Sequence, residues 1–201
     1  PDAGRLATLG APNVTFHGNL KASSPPLPVD PRDLHALMAT LARRPRWLAA
    51  STHPGEEAMV GAAHRQLSRQ FPGLLTLLVP RHAERGEAIA AELAGQGLSV
   101  ARRSRNQTIG ADTDIYLGDS MGEMFTYLAA SDVVFVGGSF AAVGGHNILE
   151  PAAIGKPVLF GPQMHNFLPS RTLLLSLGAA VEVPYAAKLG PELIALFGNA
   201  E

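Results

Sequence analysis

The sequence contains no cysteine. Disulfide bonds and thiolate metal sites are therefore excluded, and the composition suits a reducing compartment. The seven histidines are scattered, without a pair at helical ligand spacing beside carboxylates, so we expect no bound metal. No apolar run approaches the roughly 20 residues that a membrane-spanning helix needs. A phosphate-binding loop of the GxxxxGK[ST] type is also absent from the sequence.

Neither sign of charge dominates the sequence. The 201 residues include 16 basic and 17 acidic ones, for a formal net charge of −1. This balance argues against a dedicated nucleic-acid binder, because such proteins usually carry a basic surplus. Hydrophobic residues make up 46% of the chain and charged residues 16%, which is enough for one well-buried domain. Because the chain begins at Pro1 rather than at methionine, we expect it to be a piece of a longer protein.

Seven short apolar runs predict the strands of a sheet. Within each run the apolar residues are consecutive, which is typical of parallel strands covered on both faces. The runs lie at residues 47–50, 74–79, 98–101, 115–117, 133–136, 158–160 and 180–183. Between them apolar residues recur at helical spacing, as in Met59, Ala63 and Leu67. Strands that alternate with helices predict an α/β fold with a doubly wound, mainly parallel sheet of the Rossmann-like kind.

The carboxyl ends of these strands are where a ligand is expected to bind in a doubly wound sheet. Five of the strands end in small, polar or cationic residues, at 51–56, 80–82, 118–120, 137–139 and 161–162. These ends share one edge because the strands are parallel. We therefore expect a surface there that tolerates phosphate groups.

The glycine-rich segment 137–151 is the most informative motif. Its glycines allow a ligand to approach the backbone, and the helix predicted over 147–154 offers unpaired N–H groups to an anion. Asn147 is predicted to cap that helix. Glu150 lies about one turn in, where its carboxylate can accept hydrogen bonds from a ribose diol. The alternative is an ordinary strand-to-helix turn in which Glu150 is a solvated first-turn acid.

Three further segments at strand ends contain candidate site residues. The spacing of Ser120 and Glu123 predicts a capping box, which assigns Glu123 to the helix rather than to chemistry, while the helix start still attracts a phosphate. Arg81, after another strand, can pair bidentately with a phosphate, or can simply be a solvated arginine. In segment 51–56 we interpret His53 as a local hydrogen-bonding residue rather than a catalyst.

Taken together, these motifs resemble the lipid A Kdo (3-deoxy-D-manno-octulosonic acid) transferases. The similar segments lie at residues 51–57, 80–85, 118–123 and 137–167, in the order in which the family has them. The opening residues 9–21 are similar to the family's interdomain crossover. The resemblance runs from about residue 5 to residue 185 and is specific because all of its parts occur together.

The resemblance implies half of a GT-B glycosyltransferase, an enzyme in which two Rossmann-like domains face each other across a cleft. Residues 1–30 are then the crossover strand and Pro-rich connector, and residues 31–201 the domain that binds the donor, CMP-Kdo. The other, amino-terminal domain, outside this sequence, is expected to bind the lipid A precursor and to supply the catalytic carboxylate, so this chain is expected to have no catalytic residue. The resemblance also implies lipopolysaccharide biosynthesis at the cytoplasmic face of the bacterial inner membrane, with membrane contact only through the parent protein. No cofactor and no nucleic-acid partner are expected.

Roles for individual residues also follow from the resemblance. Glu150 is expected to hold the ribose hydroxyls, the 118–122 turn to face the donor's phosphate, and Arg81 to neutralise the phosphate or the Kdo carboxylate. The residues expected to bind the donor are Arg81, His82, Gly118, Ser120, Met121, Gly122, Glu123, Gly144, Gly145, His146, Asn147 and Glu150. Candidates for additional donor contacts are Ser51, Thr52, His53 and Gly55.

Two other classes of protein share part of this pattern. A GT-B transferase with a UDP-sugar donor, or a nucleotide-sugar 2-epimerase, has the same glycine-rich turn and ribose-binding glutamate. A flavodoxin-like or sensor domain uses such a pocket for binding without any reaction. The spacing in 144–150 and the 51–57 segment favour the Kdo transferases.

Overall fold

The computed structural model describes residues 2–15, 29–41 and 44–198. Within these ranges the strands are β1 Arg46–Thr52, β2 Leu75–Pro80, β3 Val100–Arg102, β4 Ile115–Leu117, β5 Val133–Val136, β6 Val158–Phe160 and β7 Ala180–Glu182. The α-helices are α1 Asp2–Thr8, α2 Pro31–Leu41, α3 Glu56–Leu67, α4 Gly86–Gly95, α5 Met124–Ala130, α6 Leu149–Ala153, α7 Leu168–Ser176 and α8 Leu189–Gly198. Short 3₁₀ turns occur at Ala83–Arg85, Arg103–Arg105 and Ala186–Lys188.

The strands form one seven-stranded sheet in the order β3-β4-β2-β1-β5-β6-β7. Every strand pair in it is parallel. From the central strand β1 the chain passes to β2, then to the edge strand β3, and back to β4, which lies between β3 and β2. It then crosses to the other side of β1, where β5, β6 and β7 follow in order. The direction of winding therefore reverses between β1 and β5. The predicted α/β fold with a doubly wound parallel sheet is confirmed.

Two hydrophobic cores, one on each face of the sheet, explain why the apolar runs are consecutive. Along β1, Trp47 and Ala49 belong to one core, whereas Leu48 and Ala50 belong to the other. The side chain of Trp47 is fully buried. Because successive side chains of a strand point to opposite faces, a strand with a core on each side must be apolar at every position.

One helix begins later than its sequence predicts. Helix α5 starts at Met124, and no side chain caps it. The hydroxyl of Ser120 instead donates to the carboxylate of Glu123, which also accepts the Nε–H of Arg103 at 2.9 Å. The predicted capping box is therefore wrong, because Arg103 and Ser120 together hold the Glu123 carboxylate. Met121, left outside the helix, is 81% exposed.

The side chain of Asn147 makes the predicted capping bond, although Asn147 does not directly precede helix α6. The position before helix α6 is occupied by Ile148, which makes no side-chain cap. The Oδ1 atom of Asn147 accepts the N–H of Leu149 at 3.1 Å. Asn147 thus satisfies one N–H group at the start of the helix from a turn that precedes it.

The predicted crossover at residues 1–30 is described only in part. Asp2–Thr8 form helix α1, and Val14 and Thr15 belong to no strand. Phe16 and the Pro-rich connector at 24–28 lie outside the described residues, so the assignment of this segment stays a prediction. Among the helices that are described, none has both the length and the apolar character needed to cross a membrane.

Candidate functional site

A cavity of about 210 Å³ opens at the carboxyl ends of β1 and β5. Doubly wound sheets bind ligands at this reversal point. The polar residues that line the cavity are Ser51, Arg81, His146, Asn147 and Glu150. Its apolar wall consists of Ala50, Met124, Leu128, Val136, Pro151 and Phe167.

A larger cavity of about 360 Å³ lies at the opposite edge of the sheet, beside the starts of β6 and β7. Small and apolar residues make up most of its wall, and Lys156 is the one charged residue in it. Binding sites combine an apolar wall with a few convergent polar groups. The smaller cavity meets that description, and we take it as the candidate site.

The end of β1 shapes one side of this cavity. The register between β1 and β2 shifts between Ala50 and Thr52. Ser51, between them, has a φ of 56°, in the left-handed region that residues other than glycine rarely adopt. Such strain concentrates at functional sites. The carbonyl of Thr52 accepts the N–H of Arg81 at 3.0 Å, which ties the cationic segment after β2 to the end of β1.

The glycines after β5 allow two loops to approach closely. A Cβ on Gly137 would lie 2.8 Å from the carbonyl oxygen of Ser51, and one on Gly138 would lie 2.8 Å from the ring of His146. Real Cβ atoms essentially never approach so closely. The glycine-rich turn is therefore required for packing against the β1 loop, whatever it contributes to a ligand.

The N–H groups of the same turn already have a partner. The carboxylate of Glu56, which is 2% exposed, accepts the N–H groups of Gly138 at 2.7 Å, Ser139 at 3.1 Å and Phe140 at 2.9 Å. It also accepts the N–H of His53 at 2.9 Å. A phosphate at these amides would have to displace Glu56.

The carboxylate of Glu150 is held in a defined orientation at the cavity wall. Its Oε1 atom accepts the Nδ2–H of Asn147 at 2.9 Å. Because Asn147 is itself fixed by the N–H of Leu149, both polar side chains are positioned by the start of α6. This arrangement is suited to hydrogen bonding with a diol.

Arg81 presents its charge without an internal counterion. Within the described ranges no carboxylate lies within 4.0 Å of its guanidinium. Arg85, four residues on, differs: it forms a two-fold contact with the buried Glu57 at 2.8 and 3.1 Å. Arg81 is therefore available to an anionic ligand, whereas Arg85 is committed to the fold.

Three histidines, one of which lines the cavity, form a cluster. The Nε2 atoms of His53 and His146 are 2.9 Å apart, and the ring of His82 stands edge-on to His53 at 5.8 Å. Burial, aided by the charges of His53, Arg81 and His82, lowers the pKa of His146 to about 4. Burial also lowers the pKa of His53. Near neutral pH both rings are thus neutral, and one donates its N–H to the other.

The turn after β4 is fixed by internal ion pairs. The buried carboxylate of Asp119 accepts the Nε–H of Arg102 at 2.8 Å, and Arg103 binds Glu123 in the same way. Burial alone would raise the pKa of each carboxyl. The pKa of Asp119 is nevertheless held below its ordinary range, first by the N–H and hydroxyl of Ser104, which donate to it at 2.9 and 2.7 Å, and then by Arg102. The pKa of Glu123 is lowered by its hydrogen bonds from Arg103 and Ser120. Glu123 lines a separate cavity of about 190 Å³ between α2 and α5.

Several residues predicted to contact the donor do not line the candidate cavity. They are Thr52, His53, Gly55, His82, Gly118, Ser120, Met121, Gly122, Glu123, Gly144 and Gly145. Thr52 is fully buried, and Gly55 has a φ of 93° just before α3. Gly144 and Gly145 shape the adjoining loop, where the N–H of Gly145 donates to the carbonyl of Gly138 at 2.8 Å. The pairing of Glu123 with Arg103 argues against its contact with the donor. For the other ten residues, contact with a ligand stays a prediction.

Two contributions to the site were not predicted. Phe167 reaches the cavity from the start of α7, although it falls inside the 137–167 segment that carries the resemblance. Glu56 falls inside the 51–57 segment, but no spacing in the sequence indicates its bonds to the turn after β5. Across the described ranges, no group of three or more histidine, aspartate or glutamate side chains is arranged to hold a metal ion.

Curated proteins similar to this chain share one description. The chain is 40% identical over 182 residues to the 3-deoxy-D-manno-octulosonic acid transferase of Haemophilus influenzae, and 42% identical over 192 residues to that of Bordetella pertussis. The crystal structure of the C-terminal CMP-Kdo binding domain of WaaA from Acinetobacter baumannii matches with a TM-score of 0.79 and 33% identity, over 85% of this chain and 90% of that one. This chain belongs to the 3-deoxy-D-manno-octulosonic acid transferase family.

The matches cover most of this chain but less than half of the curated relatives. They include 89% of this chain and 43% of the Haemophilus protein, and 92% of this chain and 44% of the Bordetella protein. No protein-family model matches the chain. The resemblance drawn from the sequence is confirmed at the level of the family and of the fold.

Proposed function

We propose that this chain is the donor-binding domain of a glycosyltransferase that transfers Kdo from CMP-Kdo to a lipid A precursor in lipopolysaccharide biosynthesis. The observation that carries the proposal is that Arg81, Ser51 and the Asn147–Glu150 pair converge on one cavity where the sheet reverses. Membership of the family, and the similarity to a CMP-Kdo binding domain, support the choice of nucleotide.

The polar groups of the donor are complementary to those that line the cavity. CMP-Kdo carries a phosphate and a carboxylate close together. Arg81 has no carboxylate partner among the described residues, and its guanidinium can bind such a group through two hydrogen bonds. On the other side, Glu150 is fixed by Asn147 at 2.9 Å and accepts hydrogen bonds from the ribose hydroxyls. A nucleoside and its anionic group thus meet complementary partners within one cavity.

In the proposed reaction an acceptor hydroxyl attacks the anomeric carbon of Kdo. A carboxylate of the amino-terminal domain takes the hydroxyl proton, and the bond between the anomeric carbon and the phosphate oxygen breaks. CMP leaves with the electron pair of that bond. The role of this chain is to orient the donor and to stabilise the charge that develops on the leaving phosphate, through Arg81 and without a metal or cofactor.

The acceptor side of the reaction belongs to the parent protein. We propose that the lipid A precursor binds the amino-terminal domain, and that the parent enzyme works at the cytoplasmic face of the bacterial inner membrane. In this proposal the present chain contacts the membrane only through that parent, and it binds no nucleic acid. Isolated, it is expected to bind CMP and to transfer no Kdo, because neither the base nor the closed cleft is present.

Calorimetric titration of the 201-residue chain with CMP, UDP and FMN tests the proposal. We expect CMP to bind with the highest affinity and EDTA to leave that affinity unchanged. Preference for UDP would support a UDP-sugar enzyme, and preference for FMN would support a non-catalytic flavin-binding module. Kdo transfer by the isolated chain would contradict the division of labour between the two domains.

A further inference from the structure

The carboxylate of Glu56 lies at backbone N–H groups that could otherwise bind the anion of a ligand. It accepts N–H groups from three consecutive residues, Gly138, Ser139 and Phe140, at 2.7 to 3.1 Å. Successive backbone N–H groups that converge in this way form a concave anion-binding site. Among the described residues, no arginine, lysine or histidine side chain forms a salt bridge with Glu56. The backbone amides are therefore its principal partners.

The same carboxylate connects the two strands between which the candidate site lies. Glu56 follows β1, whereas the three amides follow β5, more than 80 residues later in the chain. Its Oε2 atom accepts N–H groups from both sides, from His53 at 2.9 Å and from Gly138 at 2.7 Å. A single buried group thus holds the loop after β1 against the loop after β5.

The residues fixed by this contact lead directly to the cavity wall. The backbone of His53 is bound by Glu56, and its ring contacts His146 through the two Nε2 atoms at 2.9 Å. His146 lines the cavity together with Ser51, the strained residue at the end of β1. Displacement of Glu56 would release the loop that carries both Ser51 and His53.

We propose that Glu56 is a positioning residue of the donor site, which fills the glycine-rich turn with an internal anion and thereby directs the donor's phosphate to the Arg81 side of the cavity. Without Glu56 the turn after β5 becomes a competing anion site, and the β1 loop loses the hydrogen bonds by which Glu56 connects it to that turn. The inference rests on the proposed function, because it assigns a place to the phosphate of CMP.

The test is chemical rescue of Glu56→Ala by formate, a carboxylate small enough to replace the missing group. We expect the affinity of the variant for CMP to fall about tenfold or more, the scale of one lost hydrogen bond to a charged group. Added formate, compared with chloride at the same ionic strength, should restore most of that affinity. In the wild-type chain formate should leave CMP binding unchanged or weaken it. Direct titration of formate should show binding to the variant with a higher affinity than to the wild type.

Glu57→Ala is the matched control. Glu57 is the next residue, is fully buried and binds Arg85 rather than the glycine-rich turn. This variant is expected to lose thermal stability as Glu56→Ala does, but to keep the wild-type affinity for CMP at every formate concentration. A separate readout is the ¹⁵N resonance of the His53–His146 pair, which should change in Glu56→Ala, return with formate and stay unchanged in the control.

If Glu56→Ala does not fold, the CMP affinity of Glu56→Gln tests the proposal instead, because the glutamine side chain keeps one acceptor oxygen and lacks the charge. A tenfold loss of CMP affinity in a folded Gln variant supports the proposal. Wild-type CMP affinity in either variant, or a loss that formate does not reverse in a folded Glu56→Ala chain, would overturn it. If the wild-type chain fails to bind CMP while Glu56→Ala still gains formate affinity, the proposed function fails but the internal anion does not.

Discussion

The turn after β4 and the turn after β2 both contain charged side chains, and these charges are used differently. After β4 the chain places Asp119 and Glu123, and these carboxylates bind Arg102 and Arg103 at 2.8 to 2.9 Å. After β2 it places Arg81, for which no carboxylate partner is found in the described ranges. In the sequence both segments are polar or charged turns. In the structure the carboxylates after β4 form ion pairs within the protein, whereas Arg81 after β2 lines the candidate cavity.

The difference shows how a charged strand end should be judged. An ion pair between neighbouring loops orders the backbone and leaves no charge for a ligand, as at Arg103 and Glu123. An exposed guanidinium beside a cavity keeps its hydrogen-bonding capacity. Of these arginines the functional candidate is therefore Arg81, which has no carboxylate partner in the part of the chain that the structure describes. The predictions below compare the two turns, with the largest expected effect first.

Replacement of Arg81 should have the largest effect on binding. Arg81→Ala is expected to weaken CMP binding by about 3 kcal/mol, the upper range for hydrogen bonds to charged groups. Arg81→Lys should recover only part of this loss, because a point charge cannot form the two-pronged contact of a guanidinium. Cytidine should bind the wild type and Arg81→Ala with equal affinity, and calorimetry measures all of these values. Arg103→Ala, which removes the partner of Glu123 in the turn after β4, is the control and should leave CMP affinity within about twofold.

Glu150→Gln should reduce CMP affinity by roughly 1–3 kcal/mol, because the charged acceptor of the ribose hydroxyls is lost. The folded state should be little affected, since a first-turn acid contributes only about 0.3–1 kcal/mol to its helix. Calorimetry and thermal unfolding separate the two effects. Glu123→Gln, in the turn after β4, should change the unfolding curve and not the CMP titration. Equal effects of the two Gln variants on CMP binding would remove the distinction between the turns.

The stability of the chain should fall between about pH 6.5 and pH 4. His146 has a pKa of about 4 in the folded protein against an ordinary value of 6.5, so in this interval the unfolded chain binds a proton that the folded chain does not. The free energy of unfolding therefore decreases as pH falls through the interval, and this contribution is complete below pH 4. Urea unfolding at pH 7 and pH 5 should show a smaller difference for His146→Gln than for the wild type. The His146→Gln variant should still lose some stability in this interval, because burial also lowers the pKa values of His53 and His64.

The ionised carboxylates of the turn after β4 should lose their contribution to the free energy of unfolding at a lower pH than the histidines do. Hydrogen bonds hold the pKa values of Asp119 and Glu123 below their ordinary values of 3.8 and 4.5. Their stabilisation is present above those values and is lost as the pH falls below them. Asp119→Asn should therefore flatten the loss of stability below about pH 4 and leave the interval above pH 4.5 unchanged. This is the smallest of the expected effects, and acid unfolding followed by circular dichroism measures it.

The positions of the strands could be predicted from the sequence, because burial on both faces demands apolar residues at every position. All seven predicted runs correspond to strands, although β3 starts at Val100, two residues late. The site could also be predicted in outline: the sequence pattern predicts Arg81, Asn147 and Glu150 as site residues, and all three line one cavity. Residues at the carboxyl edge of a parallel sheet converge for topological reasons.

Contacts between distant segments could not be predicted in the same way. The capping box at Ser120 and Glu123 fits a local rule, but Arg103, from the 3₁₀ turn after β3, competes for the same carboxylate. Glu56 shows the same limit, since its partners lie more than 80 residues away. Local spacing describes bonds within one turn, whereas these two carboxylates are bound by elements that only the folded sheet brings together.

A crystal structure of this chain with CMP tests the central claim most directly. We predict that CMP lies in the cavity between β1 and β5, with its phosphate at hydrogen-bonding distance from the Arg81 guanidinium, its ribose on Glu150, and Glu56 still bound to the amides of Gly138–Phe140. CMP in the cavity beside Arg103 and Glu123, or a phosphate on the glycine-rich turn in place of Glu56, would contradict the account.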